Sequence, residues 1–178
     1  MAYIDTNVII AYCFQKNTNH LNVVRIMKKL RELGVEIFYC SPLNLVELYS
    51  YISRNVDVFE VSAELREFIR AREQKVRVIA EFCLSIVSRM LIPVFISDTK
   101  DVIDVTVMHG KPSVRIFHKF AKALKLVPEL RIPTLDLLHL IYAKQVSEYI
   151  EYFATLDRVI ISKAEVIEKV LGIKVIGI

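Results

Sequence analysis

The sequence is poor in the residues that mark most specialised architectures. There is no tryptophan, and only four glycines and five prolines occur in 178 residues. With 54% hydrophobic and 25% charged residues and no low-complexity tract, the chain does not read as disordered. Cys13, Cys40 and Cys83 are odd in number and far apart, forming neither a CxxC pair nor a disulfide framework. That agrees with a reducing compartment and makes them small core hydrophobes. His20, His109, His118 and His139 lack zinc-ligand spacing, which argues against a structural zinc site. No apolar run reaches the length of a membrane span, and no Lys or Arg precedes Lys16 to make the basic start of a signal peptide. The expectation is a cytoplasmic protein. GxGxxG, P-loop and GxSxG patterns are missing, as is a Ser or Cys nucleophile with a credible base. Nucleotide-cofactor enzymes and serine hydrolases are therefore poor fits.

What is present reads as one α/β domain over residues 1–178, long enough to bury a sizeable core. Short apolar runs alternate with helical patterns: a strand at 2–4, helix to about residue 33, a strand at 35–40 and a helix at 42–52. The far end repeats the alternation, with a helix at 134–146, a strand at 151–156, a helix at 164–171 and a closing strand at 173–178. Thr134 and Ser162 are expected helix starts, and Gly34 and Gly172 expected helix stops. In the longer middle section, about 53–130, the apolar spacing of Leu65, Phe68, Ile69, Val76, Ile79, Cys83, Val87 and Met90 predicts a long amphipathic helix or two stacked shorter ones. A strand is expected at 91–97, and residues 98–113 receive no assignment. Arg72 falls within the apolar stripe and is expected to pair with a carboxylate at a packed junction.

Four carboxylates stand near strand ends or in the first turns of helices, each among apolar neighbours: Asp5 in YIDTNVI, Glu47 in LVELY, Asp136 in TLDLL and Asp157 in ATLDRVI. In a parallel sheet such positions converge on one edge, where open α/β sheets bind ligands. Singly, each has a structural reading. Asp5 and Asp157 can cap helices, Asp136 can sit at the positive end of a helix dipole, and Glu47 can be an exposed helix position. Gathered together, they repel one another and call for a cation. Carboxylate oxygens without Cys or clustered His suit Mg²⁺ or Mn²⁺, the hard ions used in phosphodiester hydrolysis. His139, one turn after Asp136, either packs on its helix face or orients a carboxylate or phosphate. The net charge of +4 and pI near 8.9 mildly favour an anionic partner.

The segments IDTNVII, SPLNLVELY, PTLDLLHLIYA and ATLDRVI, in that order, resemble the four acidic motifs of PIN domains, including VapC-type toxin ribonucleases. The resemblance covers about residues 2–52 and 131–178. It implies a three-layer α/β/α fold with a central parallel sheet and helices on both faces, and an endoribonuclease dependent on Mg²⁺ or Mn²⁺. Asp5, Glu47, Asp136 and Asp157 would be both metal ligands and catalytic residues, with Asn7 and Thr155 as polar supports. Arg158, next to Asp157, is a candidate phosphate contact on RNA. Asn44 departs from the Thr or Ser common at its place. The resemblance also implies an antitoxin protein and a homodimer as partners. Two other functions fit the residues: a non-catalytic module of this fold that binds RNA or protein, and a DNA-directed nuclease using the same metal chemistry.

Overall fold

Strand β1, the apolar run Ala2–Ile4, lies at the centre of a five-stranded, all-parallel sheet. The computed structural model describes residues 1–60, 66–67, 69–89, 91–93, 102–105, 114–145 and 149–178. After β1 come helices α1 (Thr6–Cys13) and α2 (His20–Glu32), strand β2 (Phe38–Cys40), helix α3 (Pro42–Asn55) and a 3₁₀ turn at Val56–Val58. Helix α4 (Arg72–Ser88) leads to β3 (Leu91–Pro93). Strands β4 (Val102–Val105) and β5 (Val114–Phe117) pair antiparallel in a second, two-stranded sheet. Helices α5 (His118–Leu130) and α6 (Thr134–Gln145), strand β6 (Tyr152–Ala154), helices α7 (Arg158–Ser162) and α8 (Ala164–Leu171) and strand β7 (Lys174–Ile176) complete the chain.

The strand order is β3-β2-β1-β6-β7. The chain therefore builds outward from β1 to one side, then returns to add β6 and β7 on the other. Between β1 and β6 the order reverses, and this is where the carboxyl ends of neighbouring strands leave a crevice.

The alternation of side chains along each strand sorts them onto two faces. Ala2, Ile4, Phe38, Cys40, Ala154 and Ile176 pack with Val8 and Ile9 of α1, Ile26 and Leu30 of α2, Leu48 and Ile52 of α3 and Ile79 of α4. Tyr3 and Phe153 point the other way, into a second cluster with Leu130 of α5, Leu137 and Ile141 of α6, Ile160 of α7 and Ile167 of α8. Helices thus cover both faces of the parallel sheet, and its central strands β1, β2 and β6 are built of apolar and aromatic residues on both sides. Truncating a fully buried member such as Ile52 or Leu137 to alanine should cost about 2–5 kcal/mol.

Several local expectations hold, and others change. Cys13, Cys40 and Cys83 are free and buried. Thr134 opens α6, and Gly34 and Gly172, at φ 77° and 68°, lie just beyond α2 and α8 in the left-handed region that glycine tolerates. The single helix expected up to residue 33 is two, because the polar stretch Gln15–Asn19 turns instead. There Asn17 N–H donates to Phe14 O at 2.8 Å, and Asn17 Oδ1 accepts from Asn19 N–H at 2.9 Å. Ser162 does not start a helix: it ends α7 and returns its hydroxyl to Val159 O at 2.8 Å. Arg72 does meet a carboxylate, Asp57 at 2.7 Å, but on the exposed surface rather than at a packed junction. In the middle section, residues 62–65, Phe68, Met90 and 94–97 lie outside the described residues, as do most of 98–113. Within 98–113, β4 is a strand that the sequence left unassigned.

Candidate functional site

Asp5 follows β1 directly, and the parallel ladder continues through its backbone, whose N–H donates to Ala154 O at 3.0 Å. Its extended backbone makes it the N-cap of α1, with Oδ1 accepting from Thr6 N–H at 2.7 Å. Oδ2 receives two further donors, Asn7 Nδ2 and the Thr155 hydroxyl, each at 2.7 Å. Asn7 spans from α1 to the segment after β6, its Oδ1 accepting from Leu156 N–H at 3.0 Å. That backbone donor fixes the orientation of the amide. Thr155, wholly buried, gives its one proton to Asp5 and accepts from Asp157 N–H at 2.9 Å. The two residues expected to support the acids therefore join one to the other.

Asp157 caps the short helix α7, with Oδ1 accepting from Val159 N–H at 2.6 Å and Ile160 N–H at 3.3 Å. The structural reading of Asp5 and Asp157 as caps is correct. It accounts for one oxygen of each, and the other Asp157 oxygen has no partner among the described residues.

Glu47 comes from the second turn of α3. Its Oε2 accepts from the Thr6 hydroxyl and, at 2.7 Å, lies against His139 Nε2 of α6. His139 is 1% exposed and its Nδ1 meets the Tyr3 hydroxyl at 2.8 Å. Of the two roles open to it from sequence, packing on its helix face and orienting a carboxylate, it fills both. One ligand-capable atom from each of Asp5, Glu47 and His139 lies within 4.8 Å of the others. Asp136 and Asp157 are not members of that tight group. Asp136, in the first turn of α6, is half-buried and within electrostatic reach of Asp157, Asp5, His139 and Glu47. Arg158 is exposed at the start of α7.

The electrostatics follow this packing. Burial pushes the Asp5 carboxyl up, against the opposing pull of His139, the Thr155 hydroxyl and the Thr6 N–H, while Glu47 adds to the rise. Asp136 is driven up to about 6, by burial first and then by the charges of Asp157 and Asp5. Burial works in the same sense on Glu47, but hydrogen bonds from His139 and Thr6 outweigh it and leave this carboxyl below its ordinary value. Among the described residues, no Lys or Arg forms an ion pair with any of the four acids. Among the described residues the four acids have no basic ion-pair partner but His139, and the site's donors are mostly hard carboxylate oxygens. Both features fit a small divalent cation.

Sequence reasoning missed Tyr3, Thr6 and Ser41. Thr6 and Ser41 stand at helix starts where apolar neighbours leave a polar atom needing a partner, which is the signal that could have found them, whereas Tyr3 lies within β1 and gives no such signal. Ser41 and Asn44 also have the spacing of a helix-capping pair, and Asn44 Oδ1 accepts from Ser41 N–H at 2.6 Å. No family model matches this chain. Nor does any curated protein match it significantly.

Proposed function

We propose that the chain is a metal-dependent endoribonuclease of PIN-like fold, in which Asp5, Glu47, Asp136 and Asp157 hold Mg²⁺ or Mn²⁺ and act on a phosphodiester. The observation that carries this is geometric: ligand-capable atoms of Asp5, Glu47 and His139 lie within 4.8 Å of one another, with Asp136 in electrostatic reach and no described Lys or Arg paired to any of the four acids. A divalent cation bound there would supply charge neutralisation and Lewis-acid activation of the phosphate.

The chain's own residues divide the remaining work. Asp5, held by three donors at the switch point, and Glu47, fixed at one oxygen, are the positioned ligands. Asp136, half-buried in the first turn of α6 and within electrostatic reach of the other three acids, would be a further ligand, and the charge of a bound cation would oppose the rise in its carboxyl. Asp157, with its second oxygen uncommitted to the α7 cap, completes the set. Arg158 on the rim and the net charge of +4 suit contacts to phosphate, and the proposed substrate is RNA in single-stranded or looped form. The proposed partners, by resemblance, are an antitoxin and a second copy of the chain, and the proposed location is the cytoplasm. None of the described helices is long and apolar enough to cross a membrane.

The test is incubation of purified protein with matched RNA and DNA oligonucleotides in Mg²⁺, Mn²⁺ or chelator. Metal-dependent cleavage of RNA and not of DNA is expected. Undiminished cleavage in chelator rejects the mechanism, and equal cleavage of DNA rejects the substrate.

A second reading, a protein-docking module, draws on a groove of about 700 Å³ between α1, α3 and α4. Phe14, Tyr51, Phe59 and Phe82 line it, with Lys16 and Glu60 beside them. That reading predicts a stable partner complex and no hydrolysis under any metal condition.

A further inference from the structure

One of the four acids, Glu47, belongs to a closed ring of polar side-chain contacts. Starting from Glu47 Oε2, it runs to His139 Nε2 at 2.7 Å, from His139 Nδ1 to the Tyr3 hydroxyl at 2.8 Å, and from that hydroxyl to Asn44 Oδ1 at 2.8 Å. It continues from Asn44 Nδ2 to Thr6 Oγ1 at 3.1 Å, and from the Thr6 hydroxyl back to Glu47 Oε2. Tyr3 lies on β1, Thr6 on α1, Asn44 and Glu47 on α3 and His139 on α6. Residues remote in sequence therefore meet in one ring. Apart from Glu47, whose side chain is 26% exposed, all of its members are buried.

The direction of half the ring is forced. Asn44 Nδ2 also donates to the carbonyl of Ile4 at 3.1 Å, and Asn44 Oδ1 accepts from the backbone N–H of Ser41 at 2.6 Å. One backbone acceptor and one backbone donor leave the amide no freedom to flip. Thr6 Oγ1 must then accept from Asn44, and its single proton goes to Glu47. On the other arm, His139 Nε2 faces a carboxylate oxygen and carries a proton, and the single Tyr3 proton has three neighbours, His139 Nδ1, Asn44 Oδ1 and Ser41 Oγ at 2.7 Å; given to Nδ1, it leaves the Tyr3–Asn44 approach a polar contact rather than a hydrogen bond. The Tyr3 ring is held by stacking on Phe153, with centroids 5.2 Å apart and planes 9° from parallel. Both arms end on Oε2. Among the described residues, Glu47 Oε1 takes no hydrogen bond.

We propose that Tyr3 and His139 are positioning residues that lock Glu47 by Oε2 so that Oε1 is presented to a divalent cation shared with Asp5. His139 is itself not a ligand, because its Nε2 is committed to Glu47 and its Nδ1 to Tyr3. This rests on the metal-binding part of the proposed function. A glutamate has several side-chain torsions, and an ion gains from it only if the carboxylate is already aimed. Partners behind a ligand typically alter metal affinity about 10–100-fold when removed.

The probe is Mn²⁺ alone, titrated calorimetrically into metal-free full-length wild type, His139→Leu, His139→Gln and Tyr3→Phe. Mn²⁺ affinity should fall about 10–100-fold in His139→Leu and several-fold in Tyr3→Phe, which keeps the stack on Phe153. In His139→Gln, whose amide can still donate to Glu47, it should largely recover. Spin-echo spectra of Mn²⁺-loaded wild type should lack the strong ¹⁴N coupling of a directly bound imidazole. If His139→Leu does not fold, Tyr3→Phe and the spectrum still decide. Wild-type affinity in both Tyr3→Phe and a folded His139→Leu, or in Tyr3→Phe alone if the other is unfolded, overturns the positioning role and leaves the nuclease reading standing. Strong ¹⁴N coupling overturns it by making His139 a ligand. Failure of wild type to take up Mn²⁺ defeats both proposals, whereas the expected affinities without RNA cleavage defeat only the nuclease.

Discussion

Thr155 donates its hydroxyl to Asp5 Oδ2 at 2.7 Å, across 150 residues of sequence. The bond ties the ends of two neighbouring strands at the point where the sheet order reverses. The same threonine oxygen accepts from Asp157 N–H, so one buried threonine sets the spacing of two of the acids. Thr155→Val keeps the shape and removes both functions, leaving a buried donor and a buried carboxylate short of a partner. A loss of about 1–3 kcal/mol is expected in urea denaturation of the metal-free protein, with Thr155→Ser much closer to wild type. Equal stability of the valine and serine variants would show that the bond contributes nothing.

Asp136 gives a pH dependence whose sign can be worked out. Its folded carboxyl sits at about 6, above the ordinary unfolded value of about 3.9. Between these values the native state holds a proton that the unfolded chain has released, so this group's contribution to stability is lost as pH rises through the window. The metal-free protein should therefore be more stable near pH 5 than near pH 7, with buried Asp5 adding in the same sense. Glu47, held low, opposes this only at more acid pH. Asp136→Asn should flatten the trend and stabilise the metal-free chain at pH 7 by about 1 kcal/mol, after discounting for the solvent that reaches a half-buried group. Mn²⁺ affinity should move the opposite way and increase with pH across the same window, since binding must displace the proton. Thermal melts and titrations at both pH values check the two signs.

Gly177, just beyond β7, supplies a test of the frame around Thr155. A Cβ there would meet the Ile161 side chain and lie 2.9 Å from the Thr155 carbonyl oxygen. The isoleucine end can move, but the Thr155 backbone, whose N–H donates to Ile176 O at 3.0 Å, cannot move cheaply. Gly177→Ala should cost about 1–3 kcal/mol and lower Mn²⁺ affinity by disturbing the Thr155–Asp5 bond. A change in stability with unaltered affinity would separate β7 from the site.

The parallel core and two of the acids were legible in the sequence for one physical reason: an apolar run followed closely by a carboxylate marks the strand end beyond which the acid stands. Asp5 and Asp157 were visible that way; Asn7 and Thr155 were named only through the resemblance to PIN domains, and Glu47 and Asp136 through their apolar neighbours on helices. Tyr3 was not, because a tyrosine in an apolar strand has the same pattern whether its hydroxyl is solvated or joined to His139. The role of His139 needed the distance to Glu47, which depends on how α6 crosses α3 and has no local signature. The break between α1 and α2 was missed because the apolar repeat continues on both sides of it, while Asn17 closes the turn with its own side chain. The middle of the chain offered periodicity without chemistry, so α4 could be drawn and no role given to it.

The sharpest remaining test is at Asp5, where cap and ligand make opposite predictions. In Asp5→Asn the side-chain carbonyl oxygen could still accept from Thr6 N–H, so the α1 cap survives the substitution. On the other side the new NH₂ would face Asn7 Nδ2, donor against donor, while the Thr155 hydroxyl could turn and accept. The lost hydrogen bond and the relief of a buried charge, which burial and Glu47 both disfavour, oppose one another at about 1 kcal/mol each. The melting temperature in metal-free buffer should therefore move by only a few degrees, in the upward sense if charge relief prevails. Affinity for Mn²⁺ and cleavage of RNA should fall sharply, because the substitution removes the charge most completely enclosed at the switch point. Wild-type cleavage by contaminant-free Asp5→Asn would reduce this aspartate to a helix cap, and the proposed centre would lose its best-held ligand.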